Sequence, residues 1–247
     1  MLRSCRLATL SSVALLVFVL PLPSGAQYLQ QGIKKVGSGV VGPPANQGSA
    51  VALSADGSTA IVGGPTDNST GAVWIWVRSG GAWVQQSPKL VGSGNILNSQ
   101  LGYSVALSAD GNTAIAGGYS DNGGAWVWTR SGGTWTQQGA KLLASDAIGL
   151  SYQGWSVAIS ADGNTALVGA REDNAGVGAA WVWTRSGGMW TQGAKLVGSG
   201  AVGASRQGGS VSLSADGNTA IVGGPEDNGS AGAAWVWTRG PSGVWSQ

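Results

Sequence analysis

Past residue 26, apolar side chains alternate with small or polar ones at a period of two, in short runs separated by Gly-rich turns. No stretch of that region shows a helical period. Val105-Ala106-Leu107-Ser108 and Thr113-Ala114-Ile115-Ala116 flank Asp110-Gly111, a strong short hairpin signal, because a tight primed turn needs positive φ at its centre. Ala125-Trp126-Val127-Trp128-Thr129 continues the alternation, and Ser131-Gly132-Gly133 turns the chain into Trp135-Thr136-Gln137-Gln138. The pattern therefore predicts a unit of four short antiparallel strands.

That unit recurs. Ser-Ala-Asp-Gly starts at Ser54, Ser108, Ser160 and Ser214, at spacings of 54, 52 and 54 residues. Repeats of about 50 residues with four strands each are the signature of propeller blades. The expected fold is all-β, a β-propeller of about four four-stranded blades over 27–247, with repeats at roughly 48–99, 102–152, 154–206 and 208–247. Tyr28-Leu29-Gln30-Gln31-Gly32-Ile33-Lys34 aligns with Trp135-Thr136-Gln137-Gln138-Gly139-Ala140-Lys141. Residues 28–39 are accordingly expected to supply the outer strand of the last blade and close a ring, with a truncated array as the alternative.

Residues 1–26 carry Arg3 and Arg6, an apolar run from Leu7 to Leu20, and Pro-Leu-Pro-Ser-Gly-Ala. This is the three-part pattern of a secretory signal with cleavage after Ala26, and the run is shorter than the roughly twenty residues a spanning helix needs. The chain is expected outside the cytoplasm, secreted or periplasmic, without membrane insertion. Removing the segment removes the only Cys (Cys5) and two of the thirteen basic residues, so eleven Lys and Arg face eleven Asp and Glu. A neutral chain offers no footprint for nucleic acid. With no His in the sequence and no Cys left after cleavage, thiol and imidazole catalysis and the usual structural zinc ligands drop out.

The stretches Gly102-Tyr103-Ser104-Val105-Ala106-Leu107-Ser108, Asn112-Thr113-Ala114-Ile115, Gly223-Gly224-Pro225 and Gly232-Ala233-Ala234-Trp235-Val236-Trp237 resemble the FG-GAP repeats of bacterial secreted proteins, distantly similar to the propeller of integrin alpha chains. The resemblance spans about 28–247 and implies a noncatalytic binding role. Three departures matter. The Phe of the FG pair is replaced by Gln47, Leu101, Gln153 and Gln207. Rings of this family usually have seven blades, so four leaves open a small ring, a fragment, or a homodimer completing a larger ring. The calcium loop of integrin-type repeats has shrunk to one carboxylate per turn, Asp56, Asp110, Asp162 or Asp216, far short of the about six to eight oxygens calcium takes. Weak calcium candidates remain in the longer loops at Asp67, Asp121, Asp173 and Asp227.

Twelve of the thirteen Trp sit at repeat positions, which fits packing between blades better than sugar stacking. Aspartates that recur once per blade fit turn chemistry better than an acid and base pair. Function is expected where copies diverge, on the long loops joining strands two to three and blade to blade. Tyr119, Arg171 and Glu172 lie on the first kind, and Asp146, Tyr152, Trp155 and Arg206 on the second. Three readings follow: a noncatalytic module for a protein or cell-surface partner, a lectin using exposed Trp platforms for glycan, and, disfavoured by the missing His and Cys, a hydrolase.

Overall fold

The computed structural model describes residues 30–42, 44–120 and 123–247. The signal segment and Asp121 lie outside the described residues. The chain divides into two compact units, Met1–Ile33 and Lys34–Gln247, and the second holds every described strand.

The strands form four antiparallel sheets, each in chain order. Blade 1 contains β1 (Ala50–Leu53), β2 (Thr59–Gly64), β3 (Ala72–Ser79) and β4 (Ala82–Gln85). Blade 2 contains β5 (Ser104–Leu107), β6 (Thr113–Gly118), β7 (Gly124–Ser131) and β8 (Thr134–Gln137). Blade 3 contains β9 (Gln153–Ile159), β10 (Thr165–Ala170), β11 (Ala179–Ser186) and β12 (Met189–Leu196), and blade 4 contains β13 (Ser210–Leu213), β14 (Thr219–Gly224), β15 (Ala233–Arg239) and β16 (Trp245–Ser246). The first strands of successive blades lie side by side, β1 by β5, β5 by β9 and β9 by β13. This is the blade arrangement of a propeller.

The two kinds of tight turn are built differently. Gly80 and Gly81 both have positive φ, 56° and 81°, and join Ser79 to Ala82 as a two-residue hairpin. The even loop sets Trp83 opposite Arg78, on the face that carries Trp74 and Trp76. In blade 4 the inserted Pro241 lengthens the loop, yet Trp245 still pairs with Arg239, so the hairpin bulges without flipping. The Asp-Gly turn departs from the expected primed hairpin. Only its Gly is left-handed, as at Gly111 with φ 65°, and the turn spans Ser108 to Thr113, closed by Ser108 N–H to Thr113 O at 2.9 Å. Asp110 keeps ordinary φ because its carboxylate works elsewhere: it accepts from Ser108 Oγ at 2.5 Å and from the Asn112 amide at 2.9 Å.

Blades stack head to tail. Ile61, Val73 and Ile75 of blade 1 pack against Ala114, Ala116, Trp126 and Trp128 of blade 2. Ile115 and Val127 meet Trp181 and Trp183 in the same way, and Leu167 and Val182 meet Trp235 and Trp237. Each blade thus presents an aliphatic face forward and a tryptophan face backward, and the paired Trp of each third strand are buried. A backbone ladder crosses the Asp turns, with the amides of Ala55, Ala109 and Ala161 donating to the carbonyls of Ala109, Ala161 and Ala215 at 2.9–3.0 Å.

The end blades differ from the middle ones. On β14, Thr219 and Ile221 are exposed where the same residue types on β6 are buried, and Val51 and Leu53 stand exposed on blade 1. Residues 30–39 form no strand, and β16 pairs only with Thr238 and Arg239 of β15. Within that segment, Gly37 abuts Trp74 of blade 1 and the Ser38 carbonyl accepts its indole N–H at 2.8 Å, as the Ser93 carbonyl does for Trp126 of blade 2 at 2.9 Å. Residues 37–39 are therefore the loop leading into blade 1.

Candidate functional site

One four-residue turn, repeated at the entry to every first strand, sets up the site. It closes by backbone bonds from Ser49 to Asn46, Tyr103 to Gln100, Trp155 to Tyr152 and Gly209 to Arg206, at 3.0–3.3 Å. Its first residue is left-handed in each copy, with φ of 51° at Asn46, 57° at Gln100, 55° at Tyr152 and 60° at Arg206. For non-Gly residues this conformation is uncommon and is held by surrounding structure. In three of the four copies the second residue is a Gln that supplies the hold, and in blade 2 it is the buried Leu101. Gln153 accepts the Ala144 amide at 2.7 Å and donates to its carbonyl at 3.2 Å, and Gln207 does the same for Gly198 at 2.6 and 3.3 Å. A buried amide that satisfies both backbone groups of the incoming loop explains Gln where the family pattern has Phe. The third residue is Gly; a Cβ at Gly154 would collide with the Gly124 carbonyl.

This frame leaves the first and fourth turn residues at the surface, beside the residues that follow each second strand. Six of the seven residues singled out by divergence between copies come together there, all but Asp146. Tyr119 lies 4.5 Å from Trp155 and 5.6 Å from Tyr152, ring centre to ring centre. Tyr103 joins them at 4.5 Å from Tyr119 and 5.0 Å from Trp155. These tilted and edge-on contacts suit the aromatic quadrupole. Arg171 stacks its guanidinium over Trp155 at 4.5 Å and links the aromatic half to a charged half.

The charged half is a ring of alternating sign. Arg171 meets Glu226 at 2.8 Å and Glu172 at 3.4 Å, and Arg206 pairs with Glu172 and with Glu226 at 3.1 Å. The Arg171 Nε is buried and makes no hydrogen bond, its Glu172 contact lacking the geometry for one. Partly exposed pairs of this kind are each worth about 1 kcal/mol or less. Burial pushes the Tyr103 hydroxyl above its ordinary pKa, with Tyr119 adding to the shift and Arg171 opposing it, so it stays a neutral donor. Beside the aromatic half, a cleft of about 270 Å³ is lined by Tyr119, Tyr152, Ser120, Ser151 and Gln153 among others.

Tyr103 and Glu226 belong to this patch although divergence did not single them out. The repeat alignment carries the signal: Tyr103 holds the place of Trp155, and Glu226 that of Glu172. Other conspicuous residues are structural. Asp146 accepts the Trp181 indole at 2.7 Å and Gln192 at 2.6 Å. The aspartates weighed as weak calcium ligands anchor loops: Asp67 accepts the Val41 amide at 2.8 Å and pairs with Lys89, and Asp173 accepts the Ile148 amide at 2.7 Å and pairs with Lys195 at 2.7 Å. Asp227 accepts the Val202 amide at 2.8 Å. At Asp67 and Asp173 one carboxylate oxygen takes an amide and the other a lysine, whereas among the described residues Asp227 engages one oxygen alone and no group of three or more His, Cys, Asp or Glu could hold a metal.

Residues 135–183 match the family model of the FG-GAP repeat. The match runs from Trp135 in the outer strand of blade 2 to Trp183 in the third strand of blade 3, so the family repeat is offset from the blade by one strand. Comparison with curated proteins gives no match. Among solved structures, the chain is similar to Kuenenia stuttgartiensis hydrazine synthase, at 16% identity and a TM-score of 0.46 over 80% of this chain and 45% of that one. It is also similar to TolB from Acinetobacter baumannii, at 16% identity and a TM-score of 0.44 over 80% of this chain and 42% of that one. The chain spans less than half the length of either.

Proposed function

We propose that this FG-GAP repeat chain is a noncatalytic binding module of the cell exterior, taking a protein ligand on its long-loop face at the Tyr119, Tyr152, Trp155, Arg171, Glu172 and Arg206 patch. The observation that carries the reading is convergence: residues scattered over 119–206 that break the repeat form one contiguous surface. Half-buried Tyr, Trp and Arg side chains on a rigid frame are the side chains that dominate protein interfaces, and the alternating charges can re-pair with a partner's. Export is supported by the basic, apolar and small-residue order of 1–26, and noncatalysis by the absence of His and of any Cys but Cys5.

A glycan ligand is the second reading, favoured by the cleft beside Tyr119 and Tyr152. The paired Trp of each third strand give it no support, since they are buried. Screening purified extracellular proteins and a glycan panel against the chain tests both. The account expects a protein hit that weakens at least tenfold in the Tyr152→Ala, Trp155→Ala double variant with the melting temperature held within a few degrees. A collapse of thermal stability in that variant makes the two rings core residues and overturns the reading.

A further inference from the structure

The stack of blades is built from one interface used three times, and both of its halves are left uncovered at the ends. On blade 4 the forward face is bare: Ile221 is 42% and Val236 49% exposed, whereas Ile115 and Val127, their counterparts on blade 2, are fully buried against blade 3. On blade 1 the backward face is bare: Val51 is 68% and Leu53 60% exposed. There Val51, Leu53, Ala60, Val62, Trp76 and Trp83, together with Lys35, line a groove of about 480 Å³. The same groove on blade 2, walled by Val105, Leu107, Ala114, Ala116, Trp128 and Trp135, is filled by Ile61 and Ile75 of the preceding blade. The two bare faces are thus halves of a contact the chain already makes, and among the described residues they do not meet.

We propose that the bare face of blade 4 seats on the groove of blade 1 in a second copy of this chain, and that two arcs of four blades close as an eight-blade ring. A head-to-tail contact builds a closed ring when its rotation allows, and eight blades is the upper end of the usual propeller range. The polar parts of the interface are ready in the same register. The ladder of alanine amides ends with the Ala215 N–H at one end and the Ala55 carbonyl at the other, and docking joins them. Ser104 and Ser156 donate to the carbonyls of Gly154 and Gly208 in the next blade at 2.9 and 2.8 Å; Ser210 holds their place facing Gly48 of the second copy. Asp67 and Asp173 are each paired with a lysine, Lys89 or Lys195, while among the described residues no such ion pair forms at the buried Asp227. Lys34 aligns with Lys89 and Lys195, is exposed just before the loop into blade 1, and in the docked pair comes from the second copy to Asp227.

The interface stands independently of the ligand patch, and its test is mass in solution by sedimentation or light scattering. The purified chain should run at the mass of two chains, and Ile221→Glu should return it to one with unchanged circular dichroism. In a Cys5→Ser background, a chain carrying Ala55→Cys mixed with one carrying Ala215→Cys should give a disulfide-linked pair, a readout that holds even where Ile221→Glu fails to fold. A single-chain mass at every concentration with no cross-linked pair overturns the proposal. So does a two-chain mass that persists in a folded Ile221→Glu variant, or an Ala55→Cys, Ala215→Cys double variant that links only within one chain and thereby closes its own ring.

Discussion

At the residue scale, the aspartates of the Ser-Ala-Asp-Gly turns act as hydrogen-bond hubs. Asp56, exposed at the surface, is held at about 2 by the Ser54 hydroxyl first and then by the Ser58 amide. Asp162 and Asp216 are lowered chiefly by Ser160 and Ser214, and at Asp110 burial raises the pKa but is outweighed by Ser108, Asn112 and Arg130. A carboxylate depressed in the fold stabilises it fully above its unfolded value near about 4, and that stabilisation fades as pH falls through the folded value. Urea midpoints of the chain and of Asp56→Asn, measured from pH 6 downward, should therefore converge below about pH 4. A gap that stays constant to pH 2 would contradict the hub role. Gln207 gives a sharper case, because Leu in its place leaves the buried amide and carbonyl of Gly198 unpaired. Gln207→Leu should cost about 1–3 kcal/mol in chemical denaturation, while Gln138→Leu, away from that turn, should cost less.

At the scale of elements, the alternation of apolar and small residues was enough to read four strands per unit, because each third strand buries its Trp at i and i+2 and the sheet leaves no other period. The Asp turn was misread for a local reason: Asp-Gly also suits a wider turn in which only Gly111 is left-handed and the Ser108 hydroxyl is drawn in, and sequence period cannot separate the two. The short turns at Asp173–Gly176 and Asp227–Ser230, with left-handed residues at their centres, escaped notice because four residues carry no period. The head-to-tail faces predict unequal costs for one substitution. Ile115→Ala, between blades 2 and 3, should lose about 2–5 kcal/mol at any protein concentration. Ile221→Ala, on the bare face, should destabilise more as concentration rises, since only association buries that side chain. Equal, concentration-independent losses at the two sites would contradict the difference in burial.

At the scale of the whole molecule, nearly identical blades supply a rigid frame, and the side chains free to vary sit where the frame points them. That these residues diverge was legible in the sequence. Their convergence was not, because Tyr152 and Arg206 gain their directions from left-handed turns held by Gln153 and Gln207, and because Arg171 of blade 3 reaches forward to Glu226 of blade 4. The central claim is that one face of this frame binds. It is tested most directly by titrating a ligand found in the protein and glycan screen against two variants in parallel, Tyr152→Ala with Trp155→Ala on the long-loop face and Asp110→Asn with Asp162→Asn on the tight-turn face. The account predicts at least a tenfold loss of affinity in the first and none in the second; equal affinity in both variants, or a loss confined to the tight-turn pair, would contradict it.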